Sequence, residues 1–117
     1  MTDPTPFNFD DGNGPVPAHR HKNPDGTVGG WVADTATVAA TATVGPDAKV
    51  YGSAKVFGSA QVSGHARVYG DARVFGNAKV SGHAHVYDHA RVFGNARVFG
   101  LAQLRALSAV CGTSEVA

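Results

Sequence analysis

Residues 50–67 read VYGSAKVFGSAQVSGHAR, and residues 68–85, which follow directly, read VYGDARVFGNAKVSGHAH. The two segments have nearly the same sequence, and each consists of three hexapeptides. Every hexapeptide in them begins with Val, has Gly in third place and has Ala in fifth. Along the chain, Val recurs in every sixth place from Val32 to Val98, and Leu104, Val110 and Val116 continue the same spacing. A regular repeat of this kind decides the fold before any single residue does.

The hexapeptide period excludes a helix for most of the chain. On a helix of about 3.6 residues per turn, successive valines would rotate around the cylinder instead of lining one face. In a short strand followed by a tight turn, the Val and the Ala two places before it share one face. Gly in third place supplies the positive φ that a corner needs. The sequence therefore predicts strands of a few residues joined by corners.

A second and longer period, of three hexapeptides, shows how many strands make one coil. The residue after each Val follows a Tyr, Phe, Ser order that begins again at every third hexapeptide. The three resulting columns are Tyr51, Tyr69 and Tyr87; Phe57, Phe75 and Phe93; and Ser63, Ser81 and Phe99. A three-sided prism explains this order, with equivalent strands about 4.8 Å apart along its axis.

The units VYGSAK (50–55), VFGNAR (92–97) and VSGHAR (62–67) resemble the hexapeptide-repeat, left-handed β-helix superfamily. In texture they are most similar to YdcK-type repeat proteins. The resemblance implies an all-β, left-handed parallel β-helix with three hexapeptides per coil and about four to five coils. It also implies a homotrimer, because trimers are common in that superfamily.

Three regions are expected along the chain. Residues 1–18 are rich in Pro, acids and Gly, which predicts a flexible N-terminal tail. Residues 19–31 are predicted to form a hairpin cap around Asn23-Pro24-Asp25-Gly26, with Trp31 covering the first coil. Residues 32–117 are predicted to form the solenoid, with the repeat degraded after residue 104.

Charge and hydropathy exclude some classes of protein. The net charge is only +1, but residues 49–105 contain eight Lys or Arg against Asp71 and Asp88. No apolar run approaches the roughly 18 residues that a membrane-spanning helix needs. The first residues carry acids and Pro where a secretory signal has basic and apolar ones. We therefore expect a cytoplasmic protein with a basic repeat region and no membrane segment.

The outward positions of the repeat are the candidate contact surface. Aromatic and basic residues share its faces, which favours a non-enzymatic scaffold or interaction module. The surface would be either the subunit interface of a homotrimer or the site of an extended ligand. A polysaccharide or a polyanion would fit, the latter held by phosphate contacts and base stacking. The candidate residues are Tyr51, Tyr69, Tyr87, Phe57, Phe75, Phe93, Lys55, Arg73 and Arg91.

Two enzymatic alternatives come from the same superfamily. An acyltransferase using coenzyme A or acyl carrier protein would need a catalytic His, for which His85, then His83 and His89, are weak candidates. A zinc protein of the γ carbonic anhydrase type would need three histidines, and only His65 and His83 occupy equivalent places in successive coils. No loop interrupts the hexapeptides to build a cleft. The sequence therefore predicts no catalytic residue, no metal site and no cofactor.

Overall fold

A computed structural model describes residues 5–9, 15–101, 103–104, 109–110 and 115–116. These residues form strands and turns without a helix, so none of them belongs to a helix that could cross a membrane. The strands are β1 (Thr5–Asn8), β2 (Pro15–Lys22), β3 (Val28–Ala33), β4 (Thr37–Val38), β5 (Thr43–Val44), β6 (Lys49–Val50), β7 (Lys55–Val56), β8 (Gln61–Val62), β9 (Arg67–Val68), β10 (Arg73–Val74), β11 (Lys79–Val80), β12 (His85–Val86), β13 (Arg91–Val92), β14 (Arg97–Val98), β15 (Gln103–Leu104), β16 (Ala109–Val110) and β17 (Glu115–Val116).

Every third strand from β3 onward belongs to the same parallel sheet, so the chain winds through three sheets in turn. Face A has the order β1-β2-β3-β6-β9-β12-β15, face B β16-β13-β10-β7-β4, and face C β17-β14-β11-β8-β5. Each strand residue pairs with the equivalent residue three hexapeptides later, as Arg73 does with Arg91. The predicted all-β parallel solenoid with three hexapeptides per coil is confirmed. Its left-handed winding is what the resemblance implies.

Small apolar side chains fill the interior. The inward valines from Val44 to Val98 and the alanines from Ala42 to Ala96 have no exposed surface. The coils are joined by backbone hydrogen bonds, such as those from Lys55 N to Ala72 O and from Phe57 N to Val74 O, both 2.9 Å. Valine suits this interior because its branched Cβ packs against the Val of the next coil, and Ala fits beside the corner.

The corners explain why Gly recurs in third place. Gly58 has a φ of +68°, and a Cβ built on it would lie 3.0 Å from the backbone N of Gly76 in the next coil. Asp88 occupies one corner with a φ of +57° and is the one described non-Gly residue with a positive φ. Asp tolerates the left-handed region better than most residues, so the repeat continues through it.

The N-terminal segment differs in part from the expected tail and hairpin. Around the expected turn, β2 and β3 pair antiparallel, and Gly26 N donates to Asn23 O at 2.9 Å. Thr5–Asn8 and residues 15–18 of the expected flexible tail are instead an antiparallel pair of strands, β1 with β2. The physical reason is aromatic packing, because Phe9 is buried and Phe7 is half-buried against face A. Residues 1–4 and 10–14 of that tail lie outside the described residues.

Side chains of the hairpin, and not Trp31, cover the end of β5. His21 Nε2 lies 2.8 Å from Ala42 O, and Val44 N donates to Asn23 Oδ1 at 2.9 Å. In the other coils, the equivalent carbonyl and amide groups pair with the backbone of a neighbouring coil. His21 and Asn23 are both buried, so they replace a missing rung of the ladder. Trp31 instead pairs with Lys49 in register on face A and stacks on Phe7.

Candidate functional site

Each face presents two outward columns that run along the rod. One column holds the residues just before the inward Val, which are mostly basic. The other holds the residues just after it, which are mostly aromatic on faces A and B. Since the inward Val separates the two columns, they lie about 6.6 Å apart along the strand.

On face B, the residues before Val form what we call the basic column: Lys55, Arg73 and Arg91. Their strands place them directly beside one another in register. All three side chains are exposed, and none makes an ion pair or hydrogen bond within the described part of the chain. They line an open groove together with Ser53, Asp71 and His89. The structure therefore brings the three predicted basic residues together without an ion pair, although Asp71 lies in the same groove.

The phenylalanines of face B form one continuous stack. The ring centroids of Phe57 and Phe75 are 4.8 Å apart with an interplanar angle of 1°, and those of Phe75 and Phe93 are 5.1 Å apart at 5°. The faces of these rings are therefore turned toward the neighbouring rings of the stack, and the ring edges are the part that a ligand could contact. Phe57 is 39 % exposed, which places it on the surface as predicted. Base stacking on these rings is disfavoured, because stacking needs a free ring face.

On face A, the tyrosine column is partly covered by the chain's own N-terminal segment. Tyr51 is only 4 % exposed, because Phe9 stacks on it at a centroid distance of 4.7 Å. One coil earlier, the equivalent position is occupied by Ala33, which has no ring, and Phe9 supplies the ring that continues the stack there. Tyr69 and Tyr87 continue it in the following coils and are half-exposed. The expectation that Tyr51 is an exposed contact residue is corrected for this reason.

Phe7 and Phe9 are the residues that sequence reasoning missed. Their spacing of two is the available signal, since it places both rings on one face of a strand. In the structure, Phe7 stacks on Trp31 and Phe9 on Tyr51. Lys49 Nζ lies 5.7 Å from the centre of the Phe7 ring, a cation–π distance. Face A is therefore the face most covered by other parts of the chain.

Face C offers a matched surface with fewer aromatic residues. Gln61, Lys79 and Arg97 occupy its strand positions in register. Lys79 and Arg97 line an open pocket with Ser81 and with Phe99, which is 37 % exposed. The cations of face C thus sit at positions equivalent to those of face B. Replacing these cations therefore controls for the loss of positive charge without changing face B.

The three weak catalytic candidates are not brought into one cluster. Tyr69 Oη lies 3.4 Å from His85 Nδ1 on face A. Burial, with Arg67 and His83 adding to it, lowers the pKa of His85, so the neutral imidazole predominates at pH 7. In the tautomer that carries its proton on Nε2, His85 Nδ1 can accept a hydrogen bond from the Tyr69 hydroxyl. Burial also raises the pKa of Tyr69. His89 lies at a corner, with its Nδ1 3.7 Å from a carboxylate oxygen of Asp71.

The weak metal candidates form a pair without further ligands. His65 and His83 stack at a corner with ring centroids 5.0 Å apart. Within the described ranges, no three His, Cys, Asp or Glu side chains lie close enough together to hold a metal ion. A zinc site needs at least three protein ligands. The described part of the chain therefore offers no such set.

The geometry defines the class of the protein: a parallel β-solenoid of hexapeptides with basic and aromatic outward columns. A family model described as the YdcK beta solenoid repeat matches residues 60–74 and 66–82. Over these residues the chain is similar to β-solenoid repeats of the YdcK type, as the resemblance of its hexapeptides indicated. A search of curated proteins and a search of solved structures each found no significant match.

Proposed function

We propose that the chain is a rigid, non-enzymatic interaction module and that face B is its contact surface. The observation that carries the proposal is the basic column, in which Lys55, Arg73 and Arg91 lie side by side and make no ion pair among the described residues. Like charges directly opposite one another on neighbouring strands are destabilising. A bound anion would remove this repulsion.

The rigidity of the surface also supports the proposal. The inward Val56, Val74 and Val92 beneath face B are fully buried, and backbone hydrogen bonds join each coil to the next. An extended ligand would therefore meet preformed columns instead of having to order them. Pre-organisation of this kind lowers the entropic cost of binding.

The predicted homotrimer is a separate proposal about the same surfaces. All three faces carry cations at their strand positions, including Lys49 and Arg67 on face A and Lys79 and Arg97 on face C. Packing two such faces together would bring like charges close, so in a trimer the stacked phenylalanines would have to supply the contact. Light scattering of the wild-type chain and of Phe75→Ser tests this. A trimer that dissociates in the variant would identify the phenylalanine column as subunit interface.

Retention on immobilised heparin tests the contact surface itself. The variant Arg73→Gln/Arg91→Gln removes two charges from face B, and Lys79→Gln/Arg97→Gln removes two from face C. We expect the face B variant to elute at clearly lower salt than the wild type, and the face C variant to elute close to it. Equal shifts in the two variants would mean that net charge alone causes retention, and the proposal would fail.

An acyltransferase is the second candidate, favoured by the Tyr69–His85 contact. A half-buried imidazole with a lowered pKa that is neutral at pH 7 has the property of a general base. Calorimetric titration with acetyl-coenzyme A tests this candidate directly. Saturable binding that His85→Gln leaves intact, with acyl transfer that it abolishes, would support the enzyme over the scaffold.

A further inference from the structure

We infer that face B binds a linear polysaccharide with a carboxylate on every sugar, lying along the rod with its carboxylates on the basic column. The inference rests on the proposed function and adds the chemical class of the ligand. It draws on four features of face B: the spacing of its cations, their lack of partners, the orientation of its rings and the polar groups beside them.

The spacing of the cations sets the repeat of the ligand. Lys55, Arg73 and Arg91 lie on adjacent parallel strands, which are about 4.8 Å apart. The Phe57–Phe75 and Phe75–Phe93 centroid distances of 4.8 and 5.1 Å give the same step along the axis. One pyranose ring in an extended polymer covers a similar length. A polymer with one carboxylate per sugar therefore matches the step of the column, and it contacts successive rungs in a conformation that turns neighbouring carboxylates to the same side.

The chemistry of the cations favours carboxylates. Two of the three are arginines, whose planar guanidinium group binds a carboxylate through two parallel N–H···O bonds. Neither Arg73 nor Arg91 makes a hydrogen bond or ion pair within the described ranges, so their donors are available to a ligand. The column is also exposed along its whole length, so a polymer can lie on it without a conformational change.

The phenylalanine stack argues against a nucleic acid. Single-stranded nucleic acids gain much of their affinity by stacking bases on free aromatic faces. In the stack, Phe75 has Phe57 on one side and Phe93 on the other, so its ring faces are occupied. The ring edges carry the positive end of the aromatic quadrupole. An edge of this kind suits the oxygen atoms of a sugar better than the face of a base.

Corner side chains flank the basic column and offer hydrogen bonds to hydroxyl groups. Ser53 and His89 line the same groove as the three cations. Asp71 also lines it and would repel a carboxylate, but its carboxylate oxygen lies 3.7 Å from His89 Nδ1. Removing the charge of Asp71 should therefore strengthen binding of the ligand. This gives a test in the opposite direction from the arginine variants.

Isothermal titration with polygalacturonate tests the inference, and its fully methyl-esterified form serves as the uncharged control. We expect Arg73→Gln and Arg91→Gln each to weaken binding about tenfold, as loss of a charged hydrogen bond does. Lys79→Gln/Arg97→Gln, on face C, should change the affinity less than about threefold, and Asp71→Asn should strengthen it a few-fold. The esterified polymer should not bind. Circular dichroism of each variant confirms that the fold is retained.

Four results would overturn the inference. They are equal weakening by the face B and face C variants, equal binding of the esterified polymer, tighter binding of polyuridylate, and no binding of polygalacturonate by the wild type. If the last occurs while retention on heparin still depends on Arg73 and Arg91, the interaction module stands and only the ligand class fails. Polymers of this class are met mainly outside the cytoplasm. Support for the inference would therefore count against the predicted cytoplasmic location.

Discussion

Replacing a corner glycine by alanine should show how closely the coils pack. Gly76 has a φ of +69°, and a Cβ on it would lie 3.0 Å from Gly94 N and 3.3 Å from Gly94 O. Gly26 in the hairpin turn also has a positive φ, +90°, but a Cβ there would meet nothing within 4 Å. The two positions therefore share the strain of a left-handed residue and differ in contact with a neighbouring coil.

The magnitudes follow from that difference. A left-handed Ala costs about 1–2 kcal/mol, offset by about 0.4–1 kcal/mol from the less flexible unfolded chain. We expect Gly26→Ala to lower the free energy of unfolding by about 1 kcal/mol or less. At Gly76, the added methyl must also push two coils apart, which costs roughly a further 1–3 kcal/mol. With the same net backbone cost as at Gly26, Gly76→Ala should therefore cost about 1–4 kcal/mol, which is about 1–3 kcal/mol more than Gly26→Ala.

Urea unfolding followed by circular dichroism measures both values. The two variants change the same residue type in the same way, so the difference between them isolates the packing of one coil on the next. An equal loss of stability in Gly26→Ala and Gly76→Ala would refute the reasoning. In that case, the coils near Gly76 would be further apart than the structure places them.

Three further predictions concern the core, the histidines and the N-terminal strand. Val74→Ala, beneath the basic column, should cost about 2–3 kcal/mol of unfolding free energy in urea, from two lost methyl groups and the cavity left behind. The pKa of His85 is lowered in the folded chain, so the unfolded chain takes up the proton more readily, and the free energy of unfolding should fall as pH falls below about 6.5. His85→Gln should lessen this loss of stability between about pH 7.5 and 5.5. An unchanged loss in the variant would show that His85 does not cause it. Phe9→Ala should uncover Tyr51 and speed hydrogen exchange in β1 while leaving exchange at Val74 unchanged.

The regular part of the fold could be predicted because one local rule is repeated. Val inside, Gly at the corner and an order of outward residues that begins again at every third hexapeptide together define strands, corners and three sheets. The pairing of Arg73 with Arg91 follows from that spacing alone. The basic column was therefore predictable residue by residue. Its lack of acidic partners was also visible in the scarcity of Asp and Glu between positions 49 and 105.

The N-terminal segment could not be predicted in the same way, because its contacts follow no period. Phe9 stacks on the distant Tyr51, and His21 reaches Ala42 O to complete the ladder of β5. Neither contact can be read from spacing, since each depends on where a nonrepetitive strand meets the end of the solenoid. The orientation of the phenylalanine rings was also hidden. It follows from the 4.8 Å step between Phe57 and Phe75, which lets each ring stack on its neighbour.

The most direct test of the account is the affinity of the wild-type chain for galacturonate oligomers of increasing length. The basic column holds three cations on successive rungs, Lys55, Arg73 and Arg91. The account predicts that affinity rises steeply until the oligomer is long enough to reach all three, at about three or four sugars, and then levels off. An affinity that is the same for the dimer and for longer oligomers, or that is unaltered in Arg73→Gln/Arg91→Gln, would contradict it.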